Sequence, residues 1–152
     1  YVSSNSFVTM NNSVFAGNLE NGIGDHDDCD GQITNASFLL VQQASGCVVP
    51  PGFGLQLNVT AGLLPAADNG GPLAGSSNAR VAARRGLTRA PSNTSPLLDT
   101  GDPAGCKDSD GTPLTVDQRG VARMQDGPGG GSTARCDIGA VESDVIFANG
   151  FQ

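Results

Sequence analysis

A chain of 152 residues is long enough for one domain with a real core. Its 15 acids against 8 bases leave a formal net charge of −7, which argues against a nucleic-acid partner, because phosphate binding needs clustered cations. With 22 glycines, 9 prolines, no tryptophan and 5% aromatics, the core must be stacked from small and branched aliphatics, and the expectation is an all-β, turn-rich protein.

Val, Ile, Leu and Phe recur in short runs throughout, so a folded chain is favoured over a disordered one. The longest apolar run, residues 38–41, is far too short to span a bilayer, so no membrane span is expected. Four cysteines without a CxxC pair point to disulfides rather than zinc, and three pairings are open. The chain opens on Tyr1-Val2-Ser3 with no signal peptide, as a mature or truncated product would.

In chain order, residues 7–10 and 14–16 are two β-prone runs flanking an Asn11-Asn12-Ser13 corner. Inward asparagines at such a corner can stack in ladders between successive coils of a parallel β-helix; an ordinary β-hairpin is the alternative. Residues 21–31 form a polar loop, and residues 32–43 supply a strand pair at Ile33 and at 38–41. Ser45-Gly46-Cys47 turns, Pro50-Pro51-Gly52 loops, and residues 55–59 alternate as a half-buried strand does. A turn over 68–72 follows. Residues 79–86 read as a short helical turn, with Ser76 or Ser77 as N-cap, arginines in the last turn and Gly86 as C-cap. From Asp99 onward the chain is rich in Gly, Pro and Asp. It is expected to form irregular loops packed across the open end of the fold, with short strands at 121–123 and 138–141.

The most distinctive wording is Asp117-Gln118-Arg119-Gly120, a glycine-rich spacer, then Cys136-Asp137-Ile138-Gly139-Ala140-Val141-Glu142. Upstream stand Cys29, Gly31, an apolar strand, Cys47, a Leu-rich piece ending in Asp68-Asn69-Gly70-Gly71-Pro72, and Ser95-Pro96-Leu97-Leu98-Asp99-Thr100-Gly101. In this order the pieces resemble the C-terminal part of the choice-of-anchor Q family of secreted bacterial proteins. The resemblance implies a right-handed parallel β-helix with a loop-rich, disulfide-stapled C-terminal cap. It also implies a secreted or cell-surface location and pairing of Cys29 with Cys47 and of Cys106 with Cys136. It divides the chain into coils at 1–98, a closing segment at 99–142 and a tail at 143–152. The longer stretch between the Gly-Gly-Pro turn and Ser95 departs from the family. Residues 145–152 resemble a short terminal signature of secreted Gram-negative proteins, which usually ends in an acid, and Gln152 departs from that signature. The resemblance carries no catalytic residues.

Several groups invite chemistry. Asp108 and Asp110, in a D-x-D-G turn, are a candidate Ca²⁺ pair; Asp25, Asp27 and Asp28 are a second acidic candidate; a plain capped turn is the simpler reading of each, and no cofactor is required. Arg119 is expected to pair with Asp137 or Glu142 and hold Asp117–Gly120 against the last strand, since an Arg fork suits that task. Arg80, Arg84, Arg85 and Arg89, in an otherwise acidic chain, form a candidate docking patch for acidic polymers or surfaces. The expected role is structural or adhesive, with glycans or cell-surface components as partners. One alternative is a polysaccharide-active lyase or hydrolase fragment, which would need two carboxylates facing one groove. Another is a filament subunit adding head to tail through the uncovered N-terminal strand edge.

Overall fold

Leu39, Leu40 and Val41 are consecutive, and all three are fully buried. Side chains alternate between the two faces of a strand, so such a triplet requires a sheet covered on both sides. A computed structural model of the chain describes residues 7–18, 28–71, 73–74, 84–108, 110–124 and 134–143. Among these there is no helix, and the regular structure is all β.

The strands are β1 (Thr9–Phe15), β2 (Gly31–Gln32), β3 (Asn35–Val41), β4 (Cys47–Val48), β5 (Gln56–Leu57), β6 (Leu73–Ala74) and β7 (Arg84–Arg85). The first five alternate between two parallel sheets. One has the order β1-β3-β5, and the other joins β2 to β4. Gly31 stands beside Cys47 and Leu40 beside Gln56, the same 16-residue step in both sheets. The step from Thr9 to Asn35 is longer and includes residues 19–27, which lie outside the described ones.

A bend recurs across the larger sheet. Asn12 has φ +46° and Phe38 has φ +48°, and they face each other between the pairs Asn11↔Ser37 and Ser13↔Leu39. Gly54, with φ +63°, takes the same place two residues before Gln56. A left-handed residue inside a strand shifts the alternation by one. Ala36 and Leu39, three apart, therefore enter the same core, together with Val41 and Ile33 and the flanking Met10, Phe15, Leu55 and Leu57. Leu40 faces the other way, into a second core with Ala61, Leu97 and Ile138, flanked by Val14 and Phe38. Burying each of the larger side chains stabilises the fold by roughly 1.5–3 kcal/mol.

The expected strands and turns need correction in four places. Residues 7–10 and 14–16 are not separate runs, because β1 continues through Asn12. The left-handed column holds Asn, Phe and Gly and is no asparagine ladder. The half-buried strand at 55–59 shrinks to Gln56–Leu57, since Asn58 turns to φ +58°. The expected helical turn is overturned at its C-terminal end. Arg84–Arg85 is a strand antiparallel to Leu73–Ala74, and bridges from Ala67 to Thr88 and from Leu63 to Pro91 extend the pair into a ribbon. The other residues of that turn, with Ser76 and Ser77, lie outside the described ones. The strands expected at 121–123 and 138–141 are also absent: Ala122 makes one antiparallel bridge to Val116, and 138–140 is a bend.

The closing segment packs on a face of the larger sheet rather than across its end. Ile138 and Leu97 cover Leu40 and Val14, and the Ile138 N–H donates to the Leu97 carbonyl at 3.0 Å. Two disulfides fasten the chain, Cys29–Cys47 beside the smaller sheet and Cys106–Cys136 within the closing segment, with Cα separations of 5.6 and 5.9 Å.

Candidate functional site

Asp117 begins a tight turn, with the Gly120 N–H donating to its carbonyl. Its carboxylate closes the turn from inside. Oδ1 accepts from the N–H groups of Arg119 at 2.7 Å and Val121 at 3.0 Å, and Oδ2 accepts from Arg119 Nε at 2.8 Å and the Glu142 N–H at 2.9 Å. Arg119 Nη2 lies 2.7 Å from the same Oδ2 and also donates to the Glu142 carbonyl. Gly71, with φ +103°, lets its chain pass against Arg119, where a Cβ would come within 3.1 Å of the arginine Cα. Arg119 therefore pairs with Asp117 of its own motif, not with the Asp137 or Glu142 carboxylate as expected. The sequence offered three acids without indicating which one the turn would present.

The Glu142 carboxylate belongs to another arginine. Its Oε2 lies 3.6 Å from Arg123 Nη1 and accepts the Asp137 N–H at 3.0 Å. Asp137 in turn accepts the N–H groups of Asp99 at 2.8 Å and Ser143 at 2.6 Å. Arg123 reaches the Gly139 and Val116 carbonyls as well, at 3.0 and 3.3 Å. Sequence reasoning passed over Arg123; the signal was three acids in the closing motif against one assigned base.

Asp117, Asp137 and Glu142 are all buried. Burial pushes the Asp117 carboxyl up, but the Glu142 N–H, the Arg119 guanidinium and the N–H groups of Val121 and Arg119 together hold it below the usual aspartate value. At Asp137 burial dominates and raises the carboxyl, with the nearby Asp99 charge acting in the same sense against the N–H donors of Asp99 and Ser143.

The other candidates are dispersed. Asp108 Oδ1 accepts the N–H groups of Asp110 at 2.9 Å and Thr112 at 2.8 Å, the geometry of a self-capped turn. Asp28 is buried, and its carboxylate receives the Asn18 and Gln43 N–H groups, each at 2.8 Å. Asp25 and Asp27 lie outside the described residues. Among the described residues no three His, Cys, Asp or Glu side chains come close enough to hold a metal ion.

Arg80 lies outside the described residues, and Arg84 is placed by its backbone in β7. Arg85 and Arg89 clamp the ribbon from its returning arm, donating to the Gly71 and Leu64 carbonyls. Arg85 also lies 3.9 Å from Asp68, an exposed pair worth little.

Between β1, the ribbon and the closing segment runs a groove of about 520 Å³. Residues 11–16 line one side of it, and Thr88, Arg89, Lys107, Leu114, Gln118 and Arg123 are on the others. Among the described residues no acid lines it. No family model, curated protein or solved structure matches this chain. Among the described residues no helix is long and apolar enough to cross a membrane.

Proposed function

We propose that the chain is a right-handed parallel β-helix module of the choice-of-anchor Q kind, exported from a bacterial cell and serving a structural or adhesive role at its surface. The alternation of β1 to β5 between two parallel sheets, the repeated 16-residue step and the column of left-handed residues support the coil architecture. Two disulfides suit an oxidising compartment outside the cytosol.

The observation that carries the non-catalytic reading is how the closing motif uses its acids. Asp117, Asp137 and Glu142 are buried and accept main-chain N–H groups across the segment. Glycoside hydrolysis needs paired carboxylates facing a substrate, whereas these three fasten one piece of chain to another.

The test is to incubate the purified, oxidised chain with bacterial cells and with a panel of polysaccharides. Retention on cells without release of new reducing ends or unsaturated sugar products is expected. Release of products with turnover would overturn the reading. Head-to-tail association is the second reading: no described strand pairs with β1 on its outer side, although the Gly139 N–H already takes the Asn12 carbonyl there. Sizing against dilution decides it, and a strict monomer at every concentration removes it.

A further inference from the structure

We infer that the groove beside β1 binds an acidic oligosaccharide, with Arg89 and Lys107 holding its carboxylate or sulfate groups. This rests on the adhesive reading and names the ligand such a surface would grip.

The chain has 8 basic residues against 15 acids, yet Arg89, Lys107 and Arg123 all line this one groove, and among the described residues no acid does. A cleft lined by one sign of charge with low-dielectric walls focuses its field, so an anion is attracted locally despite the net charge of −7. The three cations are not equally free. Arg123 is committed to Glu142 and Gly139, which largely cancels its charge, so the attraction rests on Arg89 and Lys107. Arg89 commits Nε to the Leu64 carbonyl and keeps its terminal nitrogens, Nη1 lying where a Cβ on Gly17 would touch it at 3.6 Å. Lys107 makes no side-chain hydrogen bond or ion pair among the described residues.

The groove's volume of about 520 Å³ falls within the range of ligand sites. Its remaining walls mix a carboxamide at Gln118 and a hydroxyl at Ser13 with apolar surface at Leu114 and Ala140. A sugar ring presents the matching set, hydroxyl edges around an aliphatic face. A peptide held by its main chain would add a strand to β1. That edge is already interrupted, because the Asn12 carbonyl accepts the Gly139 N–H at 3.1 Å and Gly139 lies against Val14. The geometry therefore favours recognition by side chains.

The test is a titration at low salt against polygalacturonate, dextran sulfate, neutral dextran and polyglutamate. Binding to one or both acidic polysaccharides and not to dextran is expected, the two arms separating carboxylate from sulfate recognition. Lys107→Gln and Arg89→Gln should each weaken it by about fivefold or more, as losing a charge-assisted contact does. Arg89→Lys should retain most of the affinity, and Arg85→Gln, outside the groove, should leave it unchanged. Each variant is accepted once its thermal transition matches the parent, and the salt dependence of binding should fall in Lys107→Gln.

Undiminished binding in both glutamine variants, absence of binding to either acidic polysaccharide, or equal binding to polyglutamate would each overturn the inference. A reducing-end assay on the same samples separates the two readings. Cleavage with groove-dependent binding sinks the adhesive function and keeps the site; cell retention without polysaccharide binding does the reverse.

Discussion

Arg119 and Arg123 are four residues apart and both meet a fully buried carboxylate, but they differ in what their removal leaves behind. Without Arg119, Asp117 still accepts three main-chain N–H groups, from Arg119 itself, Val121 and Glu142. Without Arg123, Glu142 loses the cation at its Oε2 while keeping the Asp137 N–H, and the Gly139 and Val116 carbonyls also lose a donor. Taking the counter-charge from a buried carboxylate costs up to about 3–5 kcal/mol, and less where more main-chain N–H groups remain on it. Arg123→Ala should therefore lower unfolding stability more than Arg119→Ala in urea titrations. Arg123→Lys should not restore it, because an ammonium cannot span three acceptors as the guanidinium fork does. The opposite order for the two alanine variants would show that the Arg119 turn, and not the Glu142 carboxylate, fastens the segment.

At the scale of elements, the column Asn12–Phe38–Gly54 sets the register of both cores. Gly54 is the position least open to change. A Cβ there would lie 2.4 Å from the Phe38 ring, at a φ of +63° that side chains avoid. Gly54→Ala should cost more than the roughly 1–2 kcal/mol of left-handed strain alone, with the loss of amide protection centred on β3 and β5; a near-neutral result would mean that the Phe38 ring moves aside freely. The disulfides act on separate elements. With their cysteines 18 and 30 positions apart in sequence, each contributes roughly 3–4 kcal/mol in the chain-entropy model. Replacing Cys106 and Cys136 by Ala should expose the amides of the closing segment to exchange first, whereas replacing Cys29 and Cys47 should expose β2 and β4. Identical exchange patterns would show that the fold opens as one unit. Both pairs carry a sequence signal in the order of the motifs around them. The run at 38–41 was legible as a buried strand because apolar burial is local information. The bend was not, because a left-handed Phe38 has no sequence signature and the shift in alternation makes one strand read as two. The arginine stretch misread as a helical turn had arginine and glycine where a helix end wants them. The ribbon that claims Arg84 and Arg85 instead is fixed by long-range bridges such as Ala67 with Thr88.

For the whole molecule, the closing network decides how the fold meets acid. It ties Asn69, the turn at Asp117, the Asp99 N–H and the chain at 137–143 into one unit, and that unit covers the outer core at Leu40. Its two shifted acids act in opposite directions. Asp117 is held below the ordinary value of 3.8, so its contribution is complete above that value and is lost as pH falls through the folded-state pKa. Asp137 is raised above 3.8, so the folded state binds its proton more readily than the unfolded chain does. The ionised form is then a cost at neutral pH, relieved as pH falls through the raised value and fully relieved below 3.8. The 15 acids against 8 bases add self-repulsion that mild acidification also reduces. Urea midpoints should therefore hold or rise from neutrality toward the region just above 3.8, then fall as Asp117 is protonated. Asp117→Asn should remove part of the late fall and lower the neutral plateau, since Arg119 loses its counter-charge. Asp137→Asn should flatten the mild-acid rise while leaving the late fall in place. A steady loss of stability from pH 7 downward in the parent, unaltered by Asp137→Asn, would mean that the N–H groups of Asp99 and Ser143 outweigh burial at Asp137 and that its carboxylate fastens the segment in its charged form.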